Sequence, residues 1–298
     1  MIGTSNLRTS RLGYGCMRVA GTWNPASLTE NQRENAHKCI VAAYEAGYTL
    51  FDHADIYARG LCEQLHGEVL KKVSEMRDNI IIATKCGVRF AGDPEGSVGK
   101  YDFSFDHIVN SCDKSLQRLG IETIDIYQLH RPDILMNPEE VARAFEHLYA
   151  AGKVRYFGVS NFTASYVSLL QQFLSFKLQV NQVEISLTHR NSFFDGTLDQ
   201  CMMENLTPLA WSPVGGGALG KEDSGDLHQE LTTMAAKYAT GPAEIAVAWL
   251  LQHPSAIVPI IGTAKPERVR SMIKADEIKL TREDWYALLV AAQGHPMA

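Results

Sequence analysis

Several common signatures are missing from these 298 residues: there is no CxxC pair, no HExxH helix and no cluster of basic residues. The six cysteines, Cys16, Cys39, Cys62, Cys86, Cys112 and Cys201, lie far apart. Scattered cysteines without an N-terminal apolar leader point to reduced thiols and a cytoplasmic setting. No apolar run is long enough to span a bilayer, so a membrane role is not expected. The ten histidines show no close ligand spacing, so no metal is expected. With a formal net charge of -6 and no lysine–arginine stripe, nucleic acid is not an expected partner.

What is present is a globular composition, 45% hydrophobic and 21% charged, on a chain long enough for one large core. Short β-branched or aromatic runs alternate with longer amphipathic stretches, the pattern of βα units. Strands are predicted at about Arg11–Met17, Thr49–Asp52, Ile80–Lys85, Ile124–His130, Val154–Ser160, Leu178–Ile185, Thr207–Trp211 and Ile257–Ile261. Helix ends separate them. Ser27 and Glu30 have capping-box spacing ahead of a helix to Ala46, with Gly47 at its end. Ile108, Cys112, Leu116 and Leu119 form a helical stripe that stops at Gly120. Asn137 and Pro138 read as cap and first turn, Pro242 and Pro266 as helix starts, and Thr281 with Asp284 as the cap of a last helix. The Gly87–Ser104 connection is long enough to suggest a functional loop. A small hairpin around Gly3–Leu12 is expected to seal the barrel bottom.

Eight strands with intervening helices predict an α/β fold, a single-domain (β/α)8 TIM barrel over residues 1–298. An open doubly wound sheet is the alternative, since Gly215–Gly220 matches GxGxxG. That match falls in the seventh unit rather than the first, where a dinucleotide fingerprint belongs. A phosphate-cradling loop after the seventh strand is the better reading, a plain flexible glycine loop the duller one.

Barrel active sites lie at the carboxyl ends of the strands. The second strand ends in Phe51-Asp52-His53-Ala54-Asp55-Ile56-Tyr57, the third in Ala83-Thr84-Lys85 and the fourth in Gln128-Leu129-His130. Taken singly, Asp52 could be a cap, Lys85 a solvated strand end, His130 a core histidine and Tyr57 packing. A barrel that only had to fold would not need ionisable groups at adjacent strand ends.

With FDHADIY, TKCG, GKVRYFGVSNF, NQVE, AWSPVGGG and PIIGTAKPERV in register, the chain resembles the aldo-keto reductases from about Arg11 to Ala292 and, within that family, the bacterial YdhF-type oxidoreductases. Asp52, Tyr57, Lys85 and His130 match the family's catalytic tetrad. The resemblance implies NADPH/NADP+ as cofactor and reversible reduction of a small aldehyde or ketone. Tyr57 would donate the proton, Lys85 would lower the phenol's pKa, Asp52 would hold Lys85 in place and charged, and His130 would orient the carbonyl. It further implies that Ser160, Asn161 and Gln182 hold the nicotinamide carboxamide and that Trp211 stacks on the ring. Ser212, Val214, Gly216 and Leu219 would follow the pyrophosphate. Gly262, Thr263, Lys265 and Arg268 would grip the 2'-phosphate. Met272 departs from the asparagine that many relatives place against adenine.

Tyr14, Trp23, Ile56, Phe90 and the loop after His130 are candidates for the substrate pocket. The partner set is then a small carbonyl compound, with the chain a monomer or weak oligomer. Two competing functions share these residues. Lys85 could form a Schiff base, although an adjacent aspartate would oppose the low pKa that this needs. The fold could also serve as an NADPH-binding regulatory module, as in potassium-channel β subunits.

Overall fold

The computed structural model describes residues 1–297 except residue 94 and residues 221–224. The barrel strands are β1 (Gly13–Gly15), β2 (Leu50–Asp52) and β3 (Ile81–Cys86), followed, after a short hairpin of β4 (Val88–Arg89) and β5 (Lys100–Tyr101), by β6 (Ile124–Leu129), β7 (Val154–Ser160), β8 (Val180–Glu184), β9 (Thr207–Trp211) and β10 (Val258–Ile261). They close in the order β1-β10-β9-β8-β7-β6-β3-β2, and every barrel pair is parallel. All eight predicted strands are there: Val154–Ser160 and Thr207–Trp211 as expected, the third shifted by one residue, and the other five shorter by one to four residues. Closure rules out the open sheet.

The floor is sealed differently from the expected hairpin. Residues 3–12 form no strand pair. Instead a turn is closed by Ile2 N–H to the Leu7 carbonyl at 2.9 Å and Ser5 N–H to the Ile2 carbonyl at 3.0 Å. Ile2 and Leu7 drop into the barrel against Leu50, Ile81, Ile126, Val180, Leu209, Val258 and Ile260. Apolar anchoring of a turn costs less backbone order than an added pair of strands, and it fills the same space.

The first cap also differs. Thr29 caps the helix Glu30–Glu45: its hydroxyl accepts from Gln32 N–H at 3.3 Å, and the Gln32 amide oxygen accepts from Thr29 N–H at 2.9 Å. Ser27 belongs to the preceding turn, Pro25–Ser27, whose cap is Asn24. Ser27–Glu30 and Thr29–Gln32 have the same i, i+3 spacing, and only the geometry chooses between them.

Close packing fixes the strand set from within. A Cβ on Gly158 would fall 2.2 Å from Val180 Cγ2, so only glycine lets β7 and β8 meet there. Outside the sheet, Phe145 stacks on Phe157 at 4.2 Å and Phe157 on Phe176 at 5.1 Å. Trp249 and Trp285 stack at 4.7 Å, and each indole N–H donates to the other's backbone carbonyl at 3.0 Å. That reciprocal pair ties the last helix, Arg282–Gln293, to the helix Pro242–Leu251. Among the described residues no helix is long and apolar enough to cross a membrane.

Candidate active site

Parallel pairing brings the ends of β2, β3 and β6 to one rim. Asp52 pairs with Ala83, and Lys85 with Gln128. Beyond Asp52 the chain keeps hugging β3: His53 N–H donates to the Ala83 carbonyl at 2.8 Å and Asp55 N–H to the Lys85 carbonyl at 3.0 Å. It then turns sharply at Tyr57–Gly60, where Ala58 and Arg59 hold φ of 47° and 54°. Left-handed backbone at two non-glycine residues is costly. Here it lets the chain pass directly from Tyr57 into the helix Leu61–Lys72.

Lys85 is at the centre. Its Nζ donates to both Asp52 oxygens at 2.7 and 2.8 Å, to the His53 carbonyl at 2.7 Å and to the Tyr57 hydroxyl at 3.4 Å. An ammonium has three protons, and Asp52, His53 and Tyr57 supply three destinations. Only 1% of the Lys85 residue is exposed. Burial lowers its pKa despite the Asp52 carboxylate, which pulls the other way. Asp52 therefore limits the loss of charge without raising the pKa above its ordinary value.

The Tyr57 phenol is pushed well up, first by burial and then by the Asp52 charge. Both act against the Lys85 ammonium 3.4 Å away, which favours the phenolate. The hydroxyl stays protonated through neutral pH. His130 stands edge-on to Tyr57, ring centres 5.8 Å apart at 82°. Burial, with Lys85 and then Arg131, lowers its pKa well below the usual value, so the imidazole is neutral. Its Nδ1 is buried without a hydrogen-bond partner. All four expected acid–base residues are therefore brought together.

The adjoining strand ends form a second, linked frame. Ser160 pairs with Gln182, and Glu184 with Trp211. Ser160 Oγ donates to the Gln182 carbonyl at 2.8 Å. The Asn161 amide donates to the His130 carbonyl at 3.2 Å and to Ser160 Oγ at 2.8 Å, while its Oδ1 accepts from the Trp211 indole at 2.9 Å. Gln182 Oε1 is left buried with no donor. In the loop beyond, Ser212 (φ 51°), Val214 and the Gly215–Gly220 turn follow Trp211. Gly216 and Gly217, at φ 66° and 102°, face open space. Leu219 turns inward and is 6% exposed, so only its backbone borders the loop.

Gly262, Lys265 and Arg268 are exposed beside a half-buried Thr263. Met272 packs into the core and does not face them. Of the expected substrate residues, Trp23 is exposed, and Ile56 and Phe90 are half-buried, Phe90 under the Arg59 guanidinium at 4.8 Å. Tyr14 is a correction: it has no exposure, and its hydroxyl donates to the Thr263 carbonyl at 3.0 Å. Alternation along β1 points its ring outward against Tyr48 and Phe51.

Sequence reasoning passed over the His53 carbonyl and Arg131. The first carries no side-chain signal. The second directly follows His130, where only the loop as a whole was singled out. Sequence spacing also gave no hint that Cys16, His53 and His66 come together, their donor atoms within 4.8 Å of one another. Two of the ring nitrogens, His53 Nε2 and His66 Nδ1, are engaged in a hydrogen bond of 2.7 Å.

A closed parallel barrel with a buried acid–base cluster at its carboxyl rim defines a (β/α)8-barrel enzyme. The Aldo/keto reductase family model matches residues 11–290, and the chain belongs to that family. It is 44% identical over 279 residues to oxidoreductase YdhF of Escherichia coli (strain K12), covering 93% of each chain. It is 39% identical over 304 residues to the 6-dehydroglucose reductase of Novosphingobium aromaticivorans, covering 98% of this chain and 95% of that one. Among solved structures, the holo form of aldo-keto reductase AKR11C1 from Bacillus halodurans matches with a TM-score of 0.80 at 25% identity, over 100% of this chain and 97% of that one. The chain is thus an oxidoreductase of small carbonyl compounds that works with a nicotinamide cofactor.

Proposed function

We propose that residues 1–298 act as one catalytic domain that reduces an aldehyde or ketone to the alcohol, reversibly, with NADPH and with Tyr57 as proton donor. The observation that carries this reading is the Lys85 ammonium, shared among Asp52, the His53 carbonyl and the Tyr57 hydroxyl. When bound, the nicotinamide supplies the hydride. The protein's part is positional and electrostatic. His130, neutral and edge-on to Tyr57, holds the substrate oxygen beside the phenol. Tyr57 passes its proton to that oxygen as charge grows on it. The phenolate left behind lies 3.4 Å from the Lys85 ammonium, whose charge stabilises it.

The residues fit the cofactor. Gln182 Oε1 is a buried acceptor in want of a donor, as a carboxamide NH2 would be. Asn161 and Ser160 frame it, and the half-buried Trp211 offers a ring face. Ser212, Val214, Gly216 and the Leu219 backbone leave room for a pyrophosphate. Gly262, Thr263, Lys265 and Arg268 supply donors and positive charge for a 2'-phosphate, which favours NADPH over NADH. Trp23, Ile56 and Phe90 are the residues we assign to the substrate. We further place the protein in the cytoplasm, as a monomer or weak oligomer.

The test is oxidation of NADPH by the purified protein across a panel of aldehydes and ketones, with Lys85→Met alongside. The wild type should turn over several members, and Lys85→Met should lose nearly all turnover. Borohydride trapping with the same carbonyls should leave Lys85 unlabelled. A trapped adduct, or NADPH binding without turnover of any carbonyl, overturns the reading.

A further inference from the structure

Beside the tetrad lies a buried pair of imidazoles that takes no part in the proton transfer, His53 and His66, both with no exposure. His53 Nε2 and His66 Nδ1 share a hydrogen bond of 2.7 Å, with the ring centres 5.0 Å apart. The second nitrogen of each ring, His53 Nδ1 and His66 Nε2, is buried with no partner. That one bond is therefore all the polar contact either ring has among the described residues. Burial lowers both pKa values, that of His66 to about 3, so the rings are neutral and one donates to the other.

Two apolar side chains would fill this place, where Phe51 packs 5.0 Å from His66, without stranding any nitrogen. What a polar pair adds is direction. It is satisfied in one geometry, and any drift leaves further buried nitrogens unpaired.

The bond spans 13 positions, and the segment it closes carries Asp55, Tyr57 and the left-handed Ala58 and Arg59. One end, His53, directly follows β2, and its carbonyl accepts from Lys85 Nζ at 2.7 Å. The other end, His66, sits in the helix Leu61–Lys72. That helix is itself fastened to β3, for buried Glu63 accepts from Thr84 Oγ1 at 2.6 Å and from Arg118 Nε at 2.7 Å. The His53 carbonyl and the Tyr57 hydroxyl accept from the same ammonium, so a shift of His53 changes where Lys85 meets the phenol. We propose that His66 is a positioning residue: through its bond to His53 it holds the His53 carbonyl on Lys85, and with it the Lys85–Tyr57 geometry from which the proton leaves. The proposal rests on the reductase reading of the same site.

Three variants grade the bond. In His66→Asn an amide atom stands on Cγ where Nδ1 did, so the bond to His53 is kept. In His66→Gln the amide lies one carbon further out, and in His66→Leu it is gone. With NADPH and each aldehyde of the panel, His66→Leu should lower kcat by about 10–100-fold, within what a 1 Å misplacement at the reacting groups can cost. His66→Gln should fall between, and His66→Asn should restore most of the rate. The loss should lie in kcat, with KM and the NADPH dissociation constant close to wild type. His53→Leu/His66→Leu removes both polar groups, so thermal stability should return towards wild type while kcat stays low.

A folded His66→Leu with wild-type kcat overturns the assignment. So do equal losses in all three variants, a kcat that recovers with stability in the double variant, or a loss shared equally by NADPH affinity. Should His66→Leu fail to fold, equal kcat in His66→Asn and His66→Gln overturns it instead. A wild type that turns over no carbonyl of the panel overturns the reductase reading as well, whereas the other outcomes leave that reading standing.

Discussion

The Tyr57 hydroxyl sits 3.4 Å from Lys85 Nζ, the longest of the four contacts made by that ammonium. The two tight contacts to Asp52 hold Lys85 where it can answer a phenolate without drawing the proton off beforehand. Tyr57→Phe keeps the ring and removes that proton. We expect kcat to fall by about 10²–10⁴-fold, the usual worth of a positioned general acid, with the NADPH dissociation constant close to wild type. A variant that keeps wild-type turnover would remove Tyr57 from the mechanism.

Trp211→Phe separates stacking from hydrogen bonding. Phenylalanine retains a ring face but leaves Asn161 Oδ1 without the indole donor now at 2.9 Å. Losing one such bond costs roughly 1 kcal/mol, so NADPH affinity should weaken about fivefold. The fluorescence quench on cofactor binding should also shrink, leaving only the contribution of the more distant tryptophans. An unchanged quench would place the nicotinamide elsewhere.

Arg268 is exposed and has no ion pair among the described residues. Arg268→Ala should weaken NADPH by at least about tenfold through loss of charge-assisted bonds to the 2'-phosphate. NADH, which lacks that phosphate, should bind almost as before. Parallel titrations of both cofactors decide the matter, and equal losses would rule the role out.

Acid sensitivity should come from buried imidazoles. Burial lowers His53 and His130 well below the ordinary value, and brings His66 to about 3. As pH falls below about 6.5, the unfolded chain takes up protons that these folded side chains refuse, so stability is lost on acidification. Asp55, raised to about 8 by burial first and Glu63 second, works in the opposite sense, since the folded form keeps its proton where the unfolded carboxyl has released it. Three histidines outweigh one aspartate. Urea denaturation between pH 7 and 5 should therefore show falling stability. His66→Gln should flatten the slope by about 1 kcal/mol per pH unit over that range, one histidine's worth for an unfolded pKa near 6.5. A variant with an unaltered slope would show that His66 titrates normally.

Local chemistry made much of this protein legible from its sequence. The eight strands follow from apolar runs bounded by caps and glycines, and Asp52, Lys85 and His130 stand out because each ends or directly follows such a run. Tyr57, which taken alone reads as packing, was legible only through the resemblance to the aldo-keto reductases. These are short-range features, and parallel closure of the barrel converts them into one site.

The tertiary structure alone decided which neighbours those residues meet. Thr29 rather than Ser27 caps the first helix because of where Gln32 reaches. Tyr14, Leu219 and Met272 turn into the core because alternation and packing orient them, although their places in the sequence border the site. The Tyr57 phenol rises because burial first, and the Asp52 charge second, act on it. Arg131 reaches across from the end of β6 to a tryptophan 80 positions later, and Asn161 links His130 to that same indole. Desolvation and contacts between distant segments exist only once the chain has closed, so no local pattern of residues can carry them.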